Sequence, residues 1–210
     1  MMTDLFATIT ADDEKSQAVD AQGLCFAASG TRAGATSAFP PSNEAAKADI
    51  VICNANILAI DIGTTTGWAL GLRDGKLHSG SQSFAPRRNE GPGQRWLKFA
   101  AWLGERARQA GEIHAVYYEL VMAHGTRENP NVIAAHVYGG FEAHLQAWAD
   151  RNRIRLVGVP VSVIKKSATG KGNAKKEQVI AAMRARGHRV VDDNHADALA
   201  ILEYARKEEA

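Results

Sequence analysis

Three carboxylates stand where the sequence is otherwise apolar, and they constrain what this 210-residue chain can fold into more than any other feature. Asp61 closes the run Ile57-Leu-Ala-Ile, Glu119 closes Val116-Tyr-Tyr, and Asp197 interrupts the run from Ala196 to Ile201. The first two runs read as buried strands and the third as a helix packed against them. An ionised carboxylate in such a setting takes up a proton or acquires a cation. Side chains of this kind converging from three distant segments repel one another, and a divalent metal is the usual remedy. The expectation is a fold in which two strand ends and one helix face meet.

The patterning around these points is regular from Ile57 onward. Ile57–Asp61 and Gly67–Leu72 read as strands, and Asp74-Gly75 supplies a tight turn into a third strand that runs to about Phe84. A polar, basic loop, Pro86–Gly93, precedes a helix with Trp96, Ala100, Leu103 and Ala107 on one face and Gly111 as its stop. Ala115–Glu119 forms a fourth strand. Asn129-Pro130 reads as the cap and first turn of a second helix, with Ile133, Val137, Phe141, His144 and Trp148 as its buried stripe. Ile154–Val159 is a fifth strand closed by Pro160. Asn173 is the expected cap of a third helix reaching Gly187, and Asp193 of a last one carrying Ala196, Leu199, Ala200 and Leu202. A strand meander followed by alternating helices and strands predicts an α/β fold with a mixed five-stranded sheet flanked by helices. The hairpin after the first strand and the absence of GxGxxG at Gly63–Gly67 exclude a doubly wound dinucleotide fold.

Composition separates the chain into two parts. Residues 1–56 are rich in Ala, Ser, Thr and Gly, carry Pro40-Pro41 and show no sustained period. Such a stretch buries too little apolar surface to offset its ordering entropy, so a disordered extension or appended tail is expected there and a folded domain over 57–210. Residues 1–50 hold seven acidic against three basic residues, which leaves the rest of the chain at +6. Lys165, Lys166, Lys171, Lys175 and Lys176 form its densest basic cluster, and a polyanionic partner suits such a surface. Cys25 and Cys53 make no metal-binding pattern and fit a reducing compartment. With no apolar run long enough to span a membrane and no secretory signal pattern, a cytoplasmic location is expected.

Taken together these strings resemble the RuvC family of Holliday junction resolvases, of the ribonuclease H-like superfamily, and particularly its phage-type members. The resemblance spans roughly residues 57–205. It rests on Ala59-Ile-Asp61-Ile-Gly63, on the segment from Val163 through Lys165, Gly170, Gly172 and Lys176 to Val179, and on Ala196-Asp197-Ala198-Leu199-Ala200, in that order. It implies a ribonuclease H-like fold and a metal-dependent endonuclease that resolves four-way DNA junctions as a homodimer, in a bacterial or phage-infected cell. It also implies that Asp61, Glu119 and the C-terminal aspartates hold two Mg²⁺ or Mn²⁺ ions. Lys165 and Lys176 match family positions that contact DNA or support the scissile phosphate. Lys166 and Lys171 join them as candidate DNA contacts; Lys171, with Lys175, Arg87 and Arg88, extends the basic footprint on charge alone.

Two departures from the family pattern stand out. The family usually places its fourth metal ligand three residues before the last aspartate, and Asn194 holds that place here. Asp193, at i−4 on a helix, shares the face of Asp197 and is the favoured fourth ligand, with Asn194 and His195 in reserve. His195, at i−2 and roughly 200° around the helix, should point away. Bacterial members also carry an aromatic residue shortly after the glutamate, where this chain offers Met122 or His124. Trp68, Trp96, Trp102 and Trp148 are expected in the core, and His136 and His144 in packing or dimer contacts. Two other readings compete. Asp61-Ile-Gly-Thr-Thr also resembles the first phosphate loop of actin-like kinases and ATPases, but their second half is missing. A junction-binding module without catalysis is the other, and the intact Asp61, Glu119 and Asp197 set speaks against it.

Overall fold

The computed structural model describes residues 53–122, 125 and 128–210. Strands β1 (Ile57–Asp61), β2 (Thr65–Gly71) and β3 (Leu77–Ser83) form an antiparallel meander. Helix α1 (Gln94–Ala110) leads to β4 (Ala115–Leu120), which pairs in parallel with β1. Helix α2 (Val132–Asn152) leads to β5 (Arg155–Pro160), parallel to β4. Three helices complete the chain: α3 (Val161–Thr169), α4 (Lys176–Ala185) and α5 (Asp193–Glu208). The sheet order is β3-β2-β1-β4-β5. This is the mixed five-stranded sheet with flanking helices that the sequence pattern predicts.

Side chains alternate across each strand, so the sheet has two buried faces and two cores. Leu58, Ile60, Leu70, Val116 and Tyr118 pack toward α1 and α2. There Phe84, Phe99 and Phe141 meet edge-on or tilted, with ring centroids 5.0–5.9 Å apart, and Trp102 stacks on Phe99. Each aromatic pair of this kind adds about 1 kcal/mol beyond its burial. Ile57, Ala59, Ala69, Ala115 and Tyr117 face the other way, toward α3, α4 and α5. Helix α5 is buried nearly all round through Ala196, Ala198, Leu199, Ala200, Ile201 and Leu202. Its alanines let the helix backbone settle close to the sheet, as a helix embedded in a core requires.

Several helix boundaries differ from expectation. Asn131, not Asn129, caps α2, its side chain accepting the Ala134 N–H at 3.0 Å. The buried stripe of α2 is Tyr138, Phe141, Leu145 and Ala149; Ile133 and His144 are exposed, and Val137 and Trp148 lie half-buried. The expected helix from Asn173 to Gly187 is α4, and a further helix, α3, precedes it where the sequence reads as a loop. Helix α3 buries Ile164 and Ala168 one turn apart and stops at Gly170, whose φ of 79° only glycine adopts freely. Helix α4 is capped by Lys175, not Asn173, and the Lys175 N–H donates to Gln178 Oε1 at 2.9 Å. Replacing Asn131 with alanine is expected to cost about 1 kcal/mol, the usual worth of an N-cap, measurable by urea denaturation.

Asn56 is buried and satisfied: its amide donates to the Ala110 and Glu112 carbonyls at 3.3 and 2.7 Å, and its Oδ1 accepts the Arg73 N–H at 2.9 Å. Residues 1–52 and the candidate His124 lie outside the described residues. No helix among the described residues is long and apolar enough to cross a membrane.

Candidate functional site

The sheet register sets the site. β1 and β4 run in parallel with Ala59 opposite Tyr117 and Ile60 opposite Tyr118. One residue further along the same register, Asp61 and Glu119 end neighbouring strands and share the face that carries Ala59 and Tyr117. That face is covered by α5, from which Asp197 projects. At the C-terminal ends of parallel strands, where the chain leaves β1 for one side of the sheet and β4 lies on the other, an open α/β sheet has its natural crevice.

Each strand end is held from behind. The Tyr138 hydroxyl, from α2, donates to the Glu119 carbonyl at 2.9 Å and accepts the Val121 N–H at 3.1 Å, fixing the exit of β4. The buried Thr66 hydroxyl donates to the Gly63 carbonyl at 2.8 Å and accepts its N–H at 3.3 Å, closing the β1–β2 turn. Tyr138 acts through partners that only the fold brings near, and Thr66 through its own turn.

The carboxylates act on one another. Burial, then Glu119 and Asp197, push the Asp61 carboxyl well above the usual carboxylate range, with Lys176 pulling the other way. Burial and Asp197 raise Glu119 to about 7 against the opposing pull of Lys165 and Lys176. Burial raises Asp197 too, and the same two lysines oppose it. Half-buried acids that raise each other in this way are what an excess of negative charge in a low-dielectric crevice produces.

Asp193 behaves differently. It stands at the first position of α5, because the N-cap is Asp192, whose Oδ1 accepts the His195 N–H at 2.8 Å. Its carboxylate accepts a hydrogen bond from Lys176 Nζ, which holds it below the ordinary range. His195 is 3% exposed and bonded to Ser79 on β3. Lys165 and Lys176 thus approach the carboxylates, while Lys166 and Lys171 are exposed and are not among the principal charges acting on them.

The donor set is all carboxylate oxygen, the chemistry of Mg²⁺ and Mn²⁺ rather than of softer metals. Among the described residues no group of three or more His, Cys, Asp or Glu side chains is arranged to hold a metal ion as it stands. The carboxylates sense one another's charge across the crevice.

Met122, just after Glu119, is 84% exposed. The tryptophans belong to the α1–α2 core: Trp102 is buried, and Trp68, Trp96 and Trp148 pack against it. His136 is exposed, and the exposed His144 stacks on Trp96 with centroids 5.2 Å apart.

Among solved structures the chain is similar to RuvC of Thermus thermophilus, at 22% identity and a TM-score of 0.56, over 73% of this chain and 97% of that one. The same protein in complex with Holliday junction substrate matches at 21% and 0.58, over 74% and 98%. The chain has the RuvC fold. The yeast mitochondrial Holliday junction resolvase Ydc2 matches it as well, at 13% identity and a TM-score of 0.52, over 76% and 82%. No protein-family model and no curated protein sequence matches the chain. The likeness to RuvC is one of backbone architecture.

Proposed function

We propose that this protein is a metal-dependent, structure-selective endodeoxyribonuclease that resolves four-way DNA junctions. The observation that carries the reading is the convergence of Asp61, Glu119 and Asp197, each raised by burial and neighbouring acid, beside Lys165 and Lys176. Asp61, Glu119 and Asp197 would hold two Mg²⁺ or Mn²⁺ ions, with Asp193 as the fourth contributor once it leaves Lys176. Ions so held supply an activated water and stabilise the leaving oxygen of a phosphodiester. The chain's own residues do the rest. Lys165 and Lys176 neutralise the phosphate approaching the carboxylates, and Lys166 and Lys171 extend the cationic track along the backbone. Tyr138 and Thr66 keep the two strand ends from drifting under the repulsion between their acids.

A four-way junction is a symmetric substrate, and two copies of the chain would place two such sites on it. Val132 and Ile133, 54% and 79% exposed at the start of α2, supply apolar surface for that homodimer. Among the described residues after Glu119, Met122 is the exposed side chain that would contact bases at the junction centre. Such work on DNA belongs in the cytoplasm of a bacterial or phage-infected cell.

A gel assay comparing a synthetic four-way junction, a flap and a linear duplex in Mg²⁺ tests the proposal. Paired nicks in the junction, with the linear duplex spared, are expected. Tight junction binding with no nicking in either Mg²⁺ or Mn²⁺ would instead identify a binding module that keeps the fold without the chemistry.

A further inference from the structure

Asp61, Gly67 and Ser81 stand opposite one another across three strands, and Ala59, Ala69 and Ser79 form the next row on the same face. The first turn of α5 lies directly on this patch. A Cβ at Gly67 would stand 1.8 Å from the Asn194 carbonyl oxygen and 3.0 Å from the His195 nitrogen, so no larger residue fits unless the helix start moves. Two serines of β3 fasten that turn. Ser81 Oγ donates to Asp192 Oδ1 at 2.6 Å, the same oxygen that caps α5 through the His195 N–H. His195 Nδ1 accepts the Val191 N–H at 3.2 Å, which assigns the ring proton to Nε2, where it is donated to Ser79 Oγ at 2.9 Å. Both ring nitrogens are engaged, so His195 is occupied as a strut and offers no lone pair to a metal.

We infer that Gly67, Ser79 and His195 are positioning residues that set the separation between Asp61 and Asp197. The inference rests on the reading of those carboxylates as a metal site. Asp61 is cross-strand partner to the glycine under the helix start, and Asp197 lies about half a turn beyond His195, on a helix start that β3 holds through Ser79 and, at the N-cap Asp192, through Ser81. Lifting the start of α5 lifts Asp197 from the strand end that carries Asp61. Metal sites depend on such supporting contacts for affinity, commonly by about tenfold to a hundredfold.

The test is Mn²⁺ affinity by calorimetry on full-length Ser79→Ala, Ser79→Thr and Gly67→Ala, with Asn131→Ala as a variant destabilised far from the latch and Asp61→Asn as the site control. Ser79→Ala is expected to weaken Mn²⁺ about tenfold, Ser79→Thr to restore it by keeping the hydroxyl, and Asn131→Ala to leave it unchanged despite a comparable fall in melting temperature. Gly67→Ala, where it folds, should weaken Mn²⁺ further. Affinity in Ser79→Ala no weaker than in Asn131→Ala, with Asp61→Asn unable to bind, overturns the latch and leaves the metal site standing. Undiminished binding by Asp61→Asn overturns the metal site and the latch with it.

Discussion

Asp61→Asn is expected to slow Mg²⁺-dependent nicking of a four-way junction by about a thousandfold while leaving junction binding in EDTA nearly intact. The substitution keeps the volume of the side chain and its place at the end of β1 but removes one negative charge from the crevice. Charge stabilisation by a bound divalent ion is worth several kcal/mol in a transition state, and a loss of about 4 kcal/mol is about a thousandfold in rate. Glu119→Gln should act alike. The double variant should lose little more than either single, because the carboxylates work as one unit. Single-turnover rates separate the chemical step from binding. Full cleavage by both purified single variants would dispose of the carboxylate site. Because each substitution also relieves repulsion among buried acids, the metal-free variants should melt at or above the temperature of the parent protein, which distinguishes lost chemistry from lost fold.

Much of this site could be read from local patterns, and the parts that could not share a physical cause. Asp61 and Glu119 end strands, and Asp197 interrupts an Ala/Leu helix; an acid in apolar company is a signal that needs no partner to be recognised. The anchoring of His195 to Ser79 is not legible locally, because its partner sits on another element. The cap of α5 was off by one because Asp192 and Asp193 are adjacent and either can cap; only the fold gives Lys176 to Asp193 and leaves Asp192 with His195 and Ser81. The α2 stripe shared Phe141 with the expected one but was rotated by about one position, since this helix carries apolar residues on more than one face and periodicity does not choose among them. Helix α3 was missed because its lysines and following glycines read as a loop, while the burial of Ile164 and Ala168 that sustains it comes from α5 and the sheet. Gly67, Ser79, Thr66 and Tyr138 are ordinary letters in the sequence. Each acquires its role from a partner supplied by another element or by the turn itself.

The stability of the metal-free protein is expected to fall as pH rises from about 4.5 to about 8, and Mg²⁺ or Mn²⁺ should restore it most at the upper end. Glu119 has its folded-state value raised to about 7 by burial and Asp197, so between its unfolded value and that point the folded state binds more protons than the unfolded one. Stability from this group is therefore fully present below the unfolded value and lost as pH climbs through about 7. A shift of that size corresponds to a loss on the order of 3 kcal/mol, and the raised Asp61 and Asp197 act in the same direction. Asp193, lowered by Lys176, works oppositely but is a half-exposed pair and contributes little. A divalent ion competes with these protons, so its stabilising effect should be small near pH 5 and large near pH 8. Urea denaturation across this range, with EDTA and with Mg²⁺, measures both trends. Glu119→Gln should flatten much of the metal-free pH dependence and remove most of the metal's benefit. A pH profile that rises through 7 in EDTA would mean that the acids of this crevice are already neutralised by their lysines, and that no cation is needed to hold them together.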